Sequence, residues 1–343
     1  MTTVPIIMTG FGHVGRAFLT LLKEKRASVR LRYGLDFELM ALAKSDGAFF
    51  DGSPLDGRRV SKDGAPWVGD NPAWHQDMQL SDILGLAGPG CVVDCTPSDL
   101  KTGEPGLHYI TASLERGWNV VTAGKGALVV AFRRLRNLAA EKGRALRYSG
   151  ATAAALPTLD VGLIALAGSK IEGIQGILNG TSNYILTRMS EGLSYADALH
   201  VAQSHGIAEP DPAYDVDGWD SAAKLVLIAN TCLDTDIALD EVKVAGIRGL
   251  EPGMVRDARN EGRSVKLLAS ASPGRKGQAW SLEVCPSVLD ASHSLFHVDG
   301  TEKGITFLTD TMGSVTVTGG RSNPRGAAAA LLKDLVNIYR SRS

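Results

Sequence analysis

Cysteine is scarce and scattered in this chain. The four thiols, Cys91, Cys95, Cys232 and Cys285, form no paired pattern, and Cys91 and Cys95 lack the second nearby pair that a zinc site requires. Reduced thiols in a cytoplasmic protein are the expectation. Charge of one sign is also missing: 36 Lys and Arg against 37 Asp and Glu leave a net −1. That balance gives no electrostatic case for nucleic acid or an anionic membrane surface as a partner. Long apolar runs are absent too. The most apolar segment, ATAAALPTLDVGLIALAG at 151–168, is interrupted by Pro157 and Asp160 and is too broken for a bilayer span. The opening MTTVPIIMTGFG lacks the charged start and extended apolar core of a secretory signal. Repeats, low-complexity stretches and long linkers are not found. What is left is an ordinary globular composition, 44% hydrophobic and 21% charged, on 343 residues, enough for two domains or one with a large insertion.

Over the first 150 residues short β-like runs alternate with helical patterns, as in a parallel α/β layer. VPIIMTG reads as a first strand, and Val14, Phe18, Leu21 and Leu22 then recur at helical spacing. FELMALAK, CVVDCTP and NVVTAG supply further strands. Helices are expected near 106–117 and 128–142, and ALRYSG at 145–150 as another strand. The pattern then changes. IEGIQGILNGTSNYILTRMSEG reads as a strand running through a polar turn into a helix, and SYADALHVAQSHG as a helix with Ser194 as N-cap. WSLEVCPSVL and GSVTVTGG alternate like antiparallel strands, and RGAAAALLKDLVNIYR is an amphipathic helix.

The stretch MTGFGHVGRAF places Gly10-x-Gly12-x-x-Gly15 between a strand and a helix, the context a dinucleotide fingerprint needs. Gly10 would permit the tight turn, Gly12 the approach of a pyrophosphate, and Gly15 close helix–strand packing. Phe11, His13 and Val14 complete the loop and the helix start, whose free N–H groups suit phosphate. A plain turn is the bland alternative. The second strand ends ALAKSDG, so Lys44 stands where a residue would meet the ribose. A lysine there suits a 2′-phosphate and hence NADP. Asp46 is the competing sign, for NAD, and a merely solvated Lys44 is the third reading.

Acid is concentrated in AEPDPAYDVDGWDSAAK, 208–224, where Glu209, Asp211, Asp215, Asp217 and Asp220 precede a lone Lys224. Pro210 and Pro212 stiffen this loop. GWDSAAKLVLIAN should be helical after Gly218, which puts Asp220 and Lys224 at i, i+4 on one face. An arbitrary pair of that kind is a surface salt bridge worth about 0.3–0.5 kcal/mol. On an otherwise apolar helix, after so acidic a loop, a built site is the sharper reading. Asp211 and Asp217 are expected to be turn formers whose side chains bond the backbone.

Together LNGTSNYIL (178–186), GIAEPDPAYDVDGWDSAAKL (206–225), TAGKGAL (122–128), the glycine loop and TPSDLKTGEPGLHYI (96–110) resemble the homoserine dehydrogenase family, over nearly the whole chain. The resemblance implies a short form, without a regulatory ACT domain or a fused kinase. It implies NAD(P)-dependent interconversion of L-homoserine and L-aspartate 4-semialdehyde, and an α/β fold in three parts. These are a Rossmann dinucleotide-binding domain at 1–150, an α+β substrate and dimerisation domain at 151–318 forming a homodimer, and a C-terminal helix at 319–343 returning to the Rossmann domain. Glu209 and Asp215 are implied to hold the substrate ammonium, with Gly180 and Thr181 contacting the amino acid. Lys224 and Asp220 resemble the catalytic pair, and Lys125 a second active-site lysine. Lys125, Thr96 and Pro97 are implied beside the cofactor, which is NADP or NAD.

The resemblance departs at three places. Ser149 takes the place of an acid in YSGATAAALP, a region that often coordinates a monovalent cation, so no metal is expected. Gly124 stands where an asparagine usually precedes the active-site lysine. Arg321 and Arg325 replace small residues in GGRSNPRGAAAAL, and either would meet a substrate carboxylate, a cofactor phosphate or solvent. These departures keep two other readings open. One is a related NAD(P)-dependent dehydrogenase for another small hydroxy amino acid or hydroxy acid. The other is a non-catalytic NADP-binding sensor, against which the joint presence of Lys125, Asp220 and Lys224 argues.

Overall fold

The computed structural model describes residues 1–55, 72–274, 280–320 and 323–340. The chain divides into two compact units, one formed by Met1–Ala154 with Asn323–Ser343, the other by Ala155–Ser322.

The first unit opens with strand β1 (Thr2–Thr9) and helix α1 (His13–Tyr33), then β2 (Leu35–Lys44), β3 (Gly47–Phe49) and β4 (Trp74–Gln76). There follow α2 (Leu80–Leu86), β5 (Cys91–Asp94), α3 (Gly106–Glu115), β6 (Asn119–Thr122), α4 (Gly126–Glu141), β7 (Leu146–Arg147) and α5 (Ser149–Ala153). Among the described residues the strands form one sheet, β4-β3-β2-β1-β5-β6-β7. β1, β2, β5, β6 and β7 run parallel, while β3 pairs antiparallel with both β2 and β4 at one edge. Alternation along β1 explains the layers. Val4, Ile6 and Met8 join Phe18, Leu21 and Leu22 of α1 in one core, and Ile7 joins Ile83, Val92 and Trp118 in the other. Strand order reverses on either side of β1, between β2 and β5, and in such sheets ligands bind beyond the strand C-termini at that switch point.

The second unit holds the short α6 (Thr158–Asp160), β8 (Ile171–Ile177), α7 (Gly180–Ser190), α8 (Tyr195–Ser204), α9 (Ala213–Val216) and α10 (Trp219–Cys232). β9 (Lys243–Val244), α11 (Pro252–Asn260), β10 (Ser264–Pro273), β11 (Trp280–Leu289), β12 (Lys303–Thr309) and β13 (Gly313–Gly319) complete it. Its sheet runs β13-β12-β8-β10-β11-β9, antiparallel except at the β11–β9 edge. α10 buries Ala222, Ala223, Leu225, Val226, Leu227 and Ile228, each large side chain contributing about 1.5–3 kcal/mol relative to exposure. That packing fixes the helix whose first turns carry Asp220 and Lys224.

The last helix, α12 (Pro324–Tyr339), belongs to the first unit. Ala328, Leu331, Leu332 and Leu335 enter the core shared by β1 and α1. Asp334, 3% exposed at its side chain, accepts hydrogen bonds from the Ser149 amide at 2.9 Å and the Ser149 hydroxyl at 2.8 Å. Lys333 Nζ donates to Ser149 Oγ at 2.8 Å. The serine that replaces the expected acid is thus tied to an acid from the far end of the chain.

Candidate active site

In the second unit β8 ends at Ile177, and three residues later α7 begins, with Asn179 as its N-cap. Asn179 Oδ1 accepts from the Ser182 amide at 2.8 Å, satisfying one free N–H of the first turn. Its Nδ2 donates to Asp215 Oδ1 at 2.6 Å and to Asp220 Oδ2 at 2.7 Å. Asp220 Oδ2 also accepts from Lys224 Nζ at 2.5 Å, and Lys224 Nζ donates to the Leu178 carbonyl at 3.0 Å. Asp220 and Lys224 have side chains only 13% exposed, so this is no surface salt bridge. Burial, and then the Asp220 carboxylate beside it, push the Asp215 carboxyl above its ordinary value. Hydrogen bonds from Asn179 and Thr181 and the Lys224 charge pull the other way.

The other residues nominated in this unit lie as follows. Gly180 is the buried first residue of α7, and Thr181 donates from Oγ1 to the Ile207 carbonyl at 3.0 Å. Glu209 is exposed in the loop after α8, its carbonyl accepting from Gln203 Nε2 at 3.2 Å. Asp215, Asp220, Lys224 and Thr181 are therefore gathered, while the Glu209 side chain is exposed. Asp211 Oδ1 accepts from the Ala213 amide at 3.1 Å, a turn-forming role. Asp217 corrects the expectation. It holds Arg248 in a two-pronged pair at 2.7 and 3.0 Å, because the Arg248 guanidinium matches a carboxylate better than one amide does.

In the first unit the register aligns Thr9, Asp94 and Thr122 across the C-terminal ends of β1, β5 and β6. Asp94, 1% exposed, accepts from Thr9 Oγ1 at 3.0 Å, Thr96 Oγ1 at 2.6 Å, the Thr96 amide at 3.1 Å and Thr122 Oγ1 at 2.7 Å. This carboxylate fixes the loop containing Thr96 and Pro97 against the glycine loop. Gly10 has φ +79°, and a Cβ there would lie 2.7 Å from the Cys95 carbonyl carbon; one on Gly15 would lie 2.7 Å from the Gly10 carbonyl oxygen. Protein packing thus demands both glycines. Gly12 differs: its φ is −79° and a Cβ there would meet nothing within 4 Å. It caps α1 without a side-chain hydrogen bond, leaving the N–H groups of a 21-residue helix, with exposed His13 and half-buried Phe11 and Val14 beside them. Open space over a helix N-terminus, kept clear by a glycine that no protein atom requires, fits a pyrophosphate.

Lys125 stands at the start of α4, its amide donating to Ser98 Oγ at 2.8 Å. Gly124 has its own reason. A Cβ there would lie 3.2 Å from Asp94 Oδ2 and 3.3 Å from Thr122 Oγ1. Lys44 ends β2 with Nζ 3.3 Å from Asp46 and 5.4 Å from the Trp74 ring centroid, so the two opposed signs read from the sequence form one pair. Arg325 pairs with Glu24 of α1 at 2.6 Å, the solvated alternative; Arg321 lies outside the described residues. Among those residues no group of three or more His, Cys, Asp or Glu is arranged to hold a metal ion.

Asn179, Asp94 and Ser98 are the site residues that sequence reasoning passed over. An asparagine directly before a helix signals an N-cap, which would have drawn attention to Asn179. No local pattern marks Asp94 or Ser98.

With both sites described, comparison with known proteins decides the family. The homoserine dehydrogenase NAD-binding-domain model matches residues 10–149, and the homoserine dehydrogenase model matches residues 157–336. The chain belongs to the homoserine dehydrogenase family. It is similar to the homoserine dehydrogenase of Methanocaldococcus jannaschii, 34% identical over 339 residues and 98% of each chain. It is also similar to the NAD(+)-dependent homoserine dehydrogenase of Pseudomonas canavaninivorans, 31% identical over 99% of this chain and 97% of that one. The crystal structure of a homoserine dehydrogenase from Thiobacillus denitrificans matches with a TM-score of 0.83 at 26% identity, over 98% of this chain and 73% of that one. As in other homoserine dehydrogenases, the chemistry is that of an NAD(P)-dependent oxidoreductase acting on a CH–OH group of a small molecule. Among the described residues no helix is long and apolar enough to cross a membrane.

Proposed function

We propose that this homoserine dehydrogenase interconverts L-homoserine and L-aspartate 4-semialdehyde with Lys224 as the proton-transferring group. The supporting observation is the continuous set of hydrogen bonds Lys224–Asp220–Asn179–Asp215. When bound, a nicotinamide cofactor would supply or accept the hydride. In the reducing direction Lys224 donates a proton to the developing alkoxide, and its positive charge stabilises that oxygen. Asp220 orients Lys224 from one helical turn away. Asp215 and Glu209 hold the substrate ammonium, while Gly180 and Thr181 contact the rest of the amino acid. Lys125, at the start of α4, is the second lysine that the family resemblance assigns to the chemistry.

On the cofactor side Gly10, Phe11, Gly12, His13, Val14 and Gly15 receive the pyrophosphate, with Thr96 and Pro97 beside the nicotinamide. Lys44 takes a 2′-phosphate, so NADP is the preferred form, while Asp46 leaves NAD usable. The reading divides the work between a Rossmann domain (1–150), a substrate and dimerisation domain (151–318) and a C-terminal segment (319–343). The active form is a homodimer, supported by Val288 and Leu308, apolar residues 39% and 37% exposed on strands of the second sheet. A cytoplasmic location is supported by four free cysteines.

An assay of hydride transfer with L-homoserine against both NADP and NAD tests substrate and cofactor together. Reduction of both, faster with NADP, is expected; the preference should collapse in Lys44→Ala. Turnover of another hydroxy acid but not of homoserine would overturn the substrate assignment. Light scattering should give the mass of two chains.

A further inference from the structure

We propose that Asn179 is a positioning residue of this site, one that holds and aims two neighbouring carboxylates, and through them sets Lys224. This rests on the roles proposed above for Asp215, Asp220 and Lys224. Asn179 uses all of its polar capacity in directions the fold dictates. A backbone amide can only donate, so the atom facing the Ser182 amide must be the oxygen, and Nδ2 is thereby turned toward Asp215 and Asp220. Its two N–H groups meet one carboxylate each. The helix cap does not explain the choice of residue, because Asp, Ser and Asn cap about equally well. Only Asn caps with one atom and donates twice with the other. An aspartate here would put a third carboxylate against two, and a serine would cap but reach neither.

The charged groups facing Asp215 are Asp220 and Lys224 from α10. The start of α7 brings the uncharged Asn179 and Thr181, Asp217 is occupied by Arg248, and Glu209 lies exposed. One lysine thus stands beside two acids, and the amide of Asn179 donates one hydrogen bond to each of them. Without it the two carboxylates repel, Asp215 takes up a proton more readily, and Lys224 loses the fixed partner that aims its third N–H bond.

The test compares the purified enzyme with Asn179→Ser and Asn179→Asp, both of which keep a helix cap. Melting temperature and far-ultraviolet spectra check the fold. In Asn179→Ser, kcat/KM for homoserine should fall roughly ten- to a hundred-fold, the range set by losing hydrogen bonds to charged groups. Its acid limb should move to higher pH, and Asn179→Asp should move it further. In an Asp215→Asn background the Ser substitution should no longer move that limb. Unchanged pH profile and kinetics in both Asn179 variants, with Asp215→Asn and Lys224→Ala impaired, would overturn the positioning role and leave the proposed function standing. Intact turnover in Lys224→Ala and Asp215→Asn would instead remove the reading on which it rests. A lowered melting temperature with unchanged kinetics and pH profile would make the Asn179 hydrogen bonds structural and overturn the positioning role.

Discussion

Lys224 reaches back one helical turn to Asp220, their side chains 2.5 Å apart and equally shielded from water. Spacing along the helix creates this contact, and the buried face of α10 keeps it from solvent. If Lys224 moves the proton, Lys224→Ala should lower kcat by about 10²–10⁴-fold, with a smaller change in KM. Steady-state kinetics on folded protein check this, and partial rescue by an added primary amine would identify the missing group.

The glycine loop separates packing from ligand binding. Gly10→Ala forces a Cβ against the Cys95 carbonyl at a positive φ and should lower the melting temperature. Gly12→Val meets no protein atom within 4 Å at its Cβ, so thermal stability of the free enzyme should hold. Its dissociation constant for the dinucleotide should rise at least about tenfold, or 1.4 kcal/mol. Calorimetric titration alongside thermal melts distinguishes the two.

Asp215 is a carboxylate whose folded value is raised, by burial first. The folded state therefore holds its proton more tightly than the unfolded chain does. This contribution to stability declines as pH rises from the ordinary carboxylate range through the raised value. Asp215→Asn should melt at a higher temperature than the parent at neutral pH, and the gain should vanish in acid. Homoserine KM should rise at the same time. A lower melting temperature at neutral pH would contradict the assignment.

Asp36, 2% exposed, shows the opposite sign. Arg26 holds it at 2.7 and 2.9 Å, and Arg30 also pairs with it. These guanidinium hydrogen bonds drive its carboxyl far below the ordinary range. Its stabilisation is present above about pH 4 and is lost as pH falls toward the folded value. Asp36→Asn should cost about 1–2 kcal/mol at neutral pH, the arginines being partly solvated. The difference from the parent should shrink below about pH 4 in denaturant titrations.

The glycine loop, the parallel strands around it and the Asp220–Lys224 pair were legible because each is written in short-range spacing. β10 and β12 escaped; in β10 Val265, Lys266, Leu267, Leu268 and Ala269 are all buried, Lys266 through its pair with Asp299, so burial there does not follow residue polarity. The edge hairpin β3–β4 escaped because its strands are three residues each. Asp217 was misread because its partner, Arg248, lies 31 residues away.

By itself the sequence determined which helix carries the lysine and which turn joins β1 to α1, since both follow from residues within a few positions of one another. Folding alone decided that Asn179 would bridge acids 36 and 41 residues further on, and that Asp334 would hold Ser149 from 185 residues away. Contacts at such separations leave no periodic trace. They exist only once apolar burial has brought the elements together and a polar group must find a partner where it lies.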